Sequence, residues 1–114
     1  MFWNVCSITN KLPLIDILNS QYRTDVLCIA EHWLAATDIN NLVIPGYVTA
    51  DFFAREEHLH GGVLICIREG IEFIPYAKLS CFSEELVCEL AAVLLPSRST
   101  LVVTLYRSPT GNLS

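Results

Sequence analysis

The sequence predicts an α/β protein built on a mixed sheet, and three observations predict it. An aromatic and β-branched run at 2–6 is followed by apolar residues at helical spacing, then by the buried-strand run 25–30, which is the order of a β-α-β unit. From residue 47 onward the apolar runs are short and divided by turn residues, as in antiparallel strands. The chain has 114 residues, 53% hydrophobic and 17% charged, so it has the length of one domain, 1–114, and the apolar content to bury a core.

Each element follows from local chemistry. Asn10 is placed to cap a helix that begins near Lys11, with Pro13 in the first turn, where its missing N–H costs little. Leu14, Ile17, Leu18 and Tyr22 then recur at helical spacing. The β-α-β order implies two parallel strands bridged by that helix. Residues 47–53 form a strand entered from Pro45-Gly46, and Gly61-Gly62 opens another at 63–68. The alternating run 71–76 is expected to pair with 63–68 as a hairpin across Gly70. Residues 86–95 and 100–106 are two strong strands joined by Pro96-Ser97-Arg98-Ser99, a hairpin-length connection. Helix early and antiparallel strands late give a layered, mixed-sheet architecture. No internal repeat, linker or low-complexity segment interrupts it.

Composition excludes several classes. The richest apolar stretch, 86–106, is broken by Glu89, Pro96 and Arg98, so no membrane span is expected. The start, MFWNVCSI, has no basic residue before its apolar part and is not a secretory signal; an intracellular site, nuclear or cytoplasmic, is the expectation. The five cysteines are odd in number and lack C-x-x-C spacing; all but Cys81 sit in apolar runs, as reduced, buried thiols do. The net charge is −5 and the basic residues are scattered, which argues against a general nucleic-acid binder. An acidic domain still acts on nucleic acid where a bound cation supplies positive charge.

Three polar residues stand at strand ends, where functional groups of such folds gather. Asn4 interrupts the first strand, either as an amide that caps a neighbouring loop or as one that orients a metal or phosphate. Glu31 follows the run VLCIA, either as a hard-oxygen ligand for Mg²⁺ or as a solvated strand end or helix-capping acid. Asn4 and Glu31 end parallel strands of one unit and are expected side by side. Tyr106 ends the last strand, as a phosphate donor or as an ordinary half-buried tyrosine. His58-x-His60 sits in a loop-like stretch with no cysteine or third histidine at finger spacing, so it is not read as a metal site. Glu56-Glu57 and Glu84-Glu85 read as solvated charges, and Gly61-Gly62 precedes a strand, unlike a phosphate loop. The sequon Asn112-Leu113-Ser114 carries little meaning without a signal.

Five segments in order, WNVCSITNK, DVLCIAEHWL, IPGY, HGGVLICIREGIEF and LVVTLYRSPTGN, resemble the endonuclease/exonuclease/phosphatase family, to which the apurinic-site endonucleases belong. The likeness is strongest to the endonuclease domain that precedes the reverse transcriptase of non-LTR retrotransposons, through WN-x-x-S-x-x-NK, E-x-W and YR-x-P. It implies a four-layered α/β sandwich and metal-dependent hydrolysis of a phosphodiester, with DNA as substrate and Mg²⁺ or Mn²⁺ as cofactor. By motif, Glu31 matches the family's metal-binding glutamate, Asn4 the first-strand asparagine that organises the site, and Tyr106 the tyrosine that contacts the scissile phosphate. Cys6 stands where some members carry an acidic metal-site residue.

The family domain also carries, in its second half, an Asp-x-Asn pair and a late Ser-Asp-His segment; no Ser-Asp-His occurs in these 114 residues, and their one Asp-x-Asn, Asp38-Ile39-Asn40, stands early, ahead of the 47–53 strand, and not where the family's pair does. The resemblance therefore implies the N-terminal half of the domain, a partial sandwich with an incomplete metal site, inactive by itself. Its strands are expected to be mostly those of one sheet, with an exposed apolar face open to self-association. Two other readings are a non-enzymatic remnant of a decayed retroelement, and a family member acting on a phosphoinositide or other phosphoester.

Overall fold

The computed structural model describes residues 1–58 and 60–107. The segment 108–112 of the last family-like motif and the sequon at 112–114 lie outside the described residues. In chain order the elements are β1 (Phe2–Asn4), α1 (Leu12–Tyr22), β2 (Val26–Ala30), α2 (Ala36–Asn40), β3 (Tyr47–Phe53), β4 (Val63–Arg68), β5 (Ile74–Pro75), α3 (Ala77–Ser80), β6 (Glu89–Leu95) and β7 (Thr100–Tyr106). Strands β1, β2, β4 and β3 form a mixed sheet in that order, and β5, β6 and β7 form an antiparallel one. The fold is a compact mixed α/β fold, as the sequence predicts.

β1 and β2 are parallel, with Asn4 opposite Ala30, and β2 and β3 flank β4 antiparallel. Burial of β4 on both faces explains why VLICI is continuously apolar rather than alternating. Leu64 and Cys66 point into one core with Val5, Ile8, Ile15, Leu27, Ile29 and Ile39. Val63, Ile65 and Ile67 point into a second core with Ala91, Val93 and Leu95 of β6. Helix α1 covers the first face through Ile15, and the second sheet covers the other.

Four expectations are corrected. The strands are not mostly those of one sheet: the apolar face of the four-stranded sheet is covered by β6, not exposed. Exposed apolar side chains lie elsewhere, at Leu101, Val103 and Leu105 on the outer face of β7. Residues 71–76 do not pair with β4, because both edges of β4 are already taken by β2 and β3. Ile74 and Pro75 pair instead with Leu94 and Val93 of β6. Helix α1 starts without a side-chain cap: Lys11 occupies the N-cap, and the Asn10 amide oxygen accepts from Lys11 Nζ at 3.0 Å. Its buried residue is Ile15, while Leu14, Ile17 and Tyr22 are exposed. Leu12, Ile15 and Leu18 make a second apolar stripe at i, i+3 spacing, and that one faces the sheet. Last, Cys6 is exposed; all five thiols are free, and only Cys66 is fully buried.

Among the described residues no helix is long and apolar enough to cross a membrane.

Candidate active site

The three strand-end residues singled out in the sequence come together. Parallel pairing of β1 and β2 continues past the strands, with Ser7 N–H donating to Glu31 O at 2.9 Å and Ile8 N–H to His32 O at 3.1 Å. On the other side, Glu31 N–H donates to Gly62 O at 2.7 Å and Trp33 N–H to Gly61 O at 3.0 Å. Clamped between these segments, Glu31 and Trp33 adopt left-handed φ values of 58° and 63°, and Cys6 and Ser7 are left-handed as well. Non-glycine residues in that region carry about 1–3 kcal/mol of strain each and persist only where the surroundings hold them.

The Cys6 thiol hydrogen-bonds the Glu31 carboxylate, and the Asn4 amide and Tyr106 phenol lie beside it, close enough to stabilise its charge. The Cys6 thiol lies 3.3 Å from Glu31 Oε2 and 3.3 Å from Asn4 Oδ1, so it bridges the two. Partial burial would raise the Glu31 pKa. The Asn4 amide, the Cys6 thiol and the Tyr106 phenol, with the nearby Arg55 charge, outweigh it and hold the carboxyl below its usual range. The same contacts act in the opposite sense on the donors. Burial and the Glu31 carboxylate push the Tyr106 phenol up to about 12. The hydrogen bond to Glu31, then desolvation, raises the Cys6 thiol. At neutral pH the site is therefore one carboxylate facing a protonated phenol, a thiol and an amide.

A buried ion pair that the sequence reading missed lies beside this surface. Glu89, at the start of β6 and opposite Tyr106 in register, is fully buried. Its Oε2 accepts from Arg55 Nε at 2.6 Å and from Leu86 N–H at 3.0 Å, and its Oε1 from Gly62 N–H at 2.7 Å. The signal in the sequence was a single acid inside LVCELAAVLL, a charge that a strand core tolerates only when paired.

His32 stays outside the carboxylate cluster. It is fully buried, its Nδ1 accepts from Leu34 N–H at 2.9 Å, and its Nε2–H therefore donates to Phe53 O at 2.8 Å. Desolvation lowers its pKa below 6.5, outweighing the Phe53 carbonyl and Glu89. Above 6.5 the ring is neutral in both folded and unfolded chain. As pH falls through that value, the unfolded chain takes up a proton that the folded ring refuses. Stability is thus lost progressively with falling pH until the depressed folded pKa is passed. Melting temperature followed from neutral pH downward is expected to show this loss, and a His32→Gln variant to lack that part of it.

The donors suit a hard dication. Glu31 offers a carboxylate and Asn4 an amide oxygen; Mg²⁺ commonly takes one or two carboxylates and fills its remaining positions with water and phosphate oxygens. The Cys6 thiol is too soft to add to that set. No family model matches the chain, and neither a curated protein nor a solved structure matches it.

Proposed function

We propose that the chain is the N-terminal part of a metal-dependent phosphodiesterase of the endonuclease/exonuclease/phosphatase family, of the retrotransposon type that nicks DNA. One observation carries this reading. Asn4, Glu31 and Tyr106, matched to the family by motif, come from three strands and meet on a single carboxylate. The facing sheets would be the inner layers of the four-layered sandwich.

Glu31 and Asn4 would hold Mg²⁺ or Mn²⁺, which supplies neutralisation of charge developing on phosphoryl oxygen. The protein's own groups divide the remaining work. The Asn4 amide and the Tyr106 phenol flank the Glu31 carboxylate and favour its charged form. The phenol, protonated at neutral pH, is a donor able to turn from Glu31 to a phosphate oxygen. The acid–base groups that the family uses to activate water and protonate the leaving oxygen belong to its Asp-x-Asn and Ser-Asp-His segments. These 114 residues are therefore expected to bind the dication weakly and to leave supercoiled plasmid DNA intact.

The test is Mn²⁺ binding followed by electron paramagnetic resonance. Glu31→Gln is expected to weaken it by more than about tenfold, or about 1.4 kcal/mol. Binding that is absent, or unchanged in Glu31→Gln, overturns the assignment. Plasmid nicking by the purified chain, lost in Glu31→Gln, would overturn the expected inactivity while keeping the family.

A further inference from the structure

We propose that Glu57, His58 and Glu85 form a second cation site, one for a transition-metal dication of the zinc class, which ties the loop before β4 to the loop before β6.

The three side chains come from two segments far apart in sequence, and their ligand atoms all lie within 4.8 Å of one another. Two donors each about 2.0–2.2 Å from one ion lie at most about 4.4 Å apart. Glu57 and His58 are exposed, so rotation of their side chains closes the small remainder.

Glu85 is already oriented for the task. Its Oε1 accepts from Glu56 N–H at 2.6 Å and more distantly from Glu57 N–H at 3.4 Å. Its Oε2 is hydrogen-bonded to His58 Nδ1, so an ion entering here displaces the proton between them and parts the two atoms. Main-chain donors thus fix one oxygen and aim the other at an imidazole nitrogen, as outer-shell hydrogen bonds orient metal-ligating carboxylates.

The donor set selects the ion. An imidazole nitrogen with two carboxylates matches the three-ligand zinc sites that leave a position open, whereas Mg²⁺ and Ca²⁺ favour oxygen alone. Room for the open position exists: Glu57 and His58 border a recess of about 200 Å³ that is also lined by His60, stacked on Trp33 at 3.9 Å. The sequence concealed the site, because the partners of His58 are carboxylates, one of them from another loop, rather than residues at finger spacing.

The site is independent of Glu31, and the experiment separates them. Zn²⁺ titrated into the full chain by calorimetry, and Co²⁺ followed in the visible, are expected to show one bound ion without a thiolate-to-cobalt charge-transfer band. Zn²⁺ is also expected to raise the melting temperature. His58→Ala and Glu85→Gln should each weaken binding more than about tenfold, while Glu31→Gln leaves it unchanged. His58 is half-exposed, so its variant should keep its metal-free melting temperature, which checks the fold. Absence of binding, affinity unchanged in His58→Ala, or a thiolate band marking capture by cysteine would each overturn the proposal.

Discussion

Replacing Glu89 with alanine is expected to lower the unfolding free energy by about 3–5 kcal/mol, the usual result of removing one partner from a buried ion pair. The Glu89 side chain is fully buried and that of Arg55 is 7% exposed, so solvent screening gives little relief. The substitution leaves the guanidinium in a medium that penalises an uncompensated charge. It also removes the acceptor of the Gly62 and Leu86 N–H groups. Against a total stability of about 5–15 kcal/mol for a domain, the loss is a large share, enough to populate the unfolded state measurably only at the low end of that range. Urea unfolding followed by circular dichroism measures it. A cost below about 1 kcal/mol would mean that water reaches the pair. The paired replacement Arg55→Met with Glu89→Leu should recover only the part due to the uncompensated charge, because the Gly62 and Leu86 N–H groups still lack their acceptor.

Legibility of the fold depended on whether an element's fate was decided locally. The β-α-β start was readable because 25–30 is an unbroken apolar run and the helical stripe precedes it. Strands β3, β4, β6 and β7 were readable for the same reason. The errors came where a remote element decided the outcome. Pairing of 71–76 depended on the free edges of β4, which are set by β2 and β3. The inward stripe of α1 depended on which of two apolar stripes met Leu27 and Ile29. Helices α2 and α3, of five and four residues, are too short to carry a helical period.

The candidate site was legible at its strand ends and not beneath them. Asn4, Glu31 and Tyr106 interrupt apolar runs, and an interruption is visible in a sequence. Composition alone made Cys6 one more apolar residue, and only the family likeness put it near the site; the left-handed turn at Cys6 and Ser7 swings its thiol onto the carboxylate. Arg55 lies in a charged loop where nothing marks it out; its contact with the buried Glu89 distinguishes it from its solvated neighbours.

Gly62→Ala is expected to be strongly destabilising and to disturb the carboxylate cluster as well. Gly62 has φ +86°, and a Cβ built there would stand 2.3 Å from His32 Nε2 and 2.9 Å from the Phe53 carbonyl oxygen. Those two atoms hydrogen-bond each other at 2.8 Å, so the methyl group must separate them or displace the strand. The left-handed backbone costs an alanine about 1–3 kcal/mol, and forcing a methyl into a filled site about 1–3 kcal/mol more. The consequence reaches the carboxylate cluster through two bonds. Gly62 O holds the Glu31 N–H, and Gly62 N–H holds Glu89 Oε1. Any shift of Gly62 therefore moves the backbone that presents Glu31 together with the ion pair beside it. Thermal unfolding and Mn²⁺ binding should fall together in this variant, whereas Glu31→Gln should weaken the binding without a comparable loss of stability. Gly46→Ala makes the comparison sharp: its φ is +84° but its Cβ would meet nothing within 4 Å. It should lose the backbone part alone and keep the Glu31 site. Equal losses of stability in the two variants would show that the His32–Phe53 contact yields easily, and that Gly62 is required for its backbone conformation rather than for the space it leaves.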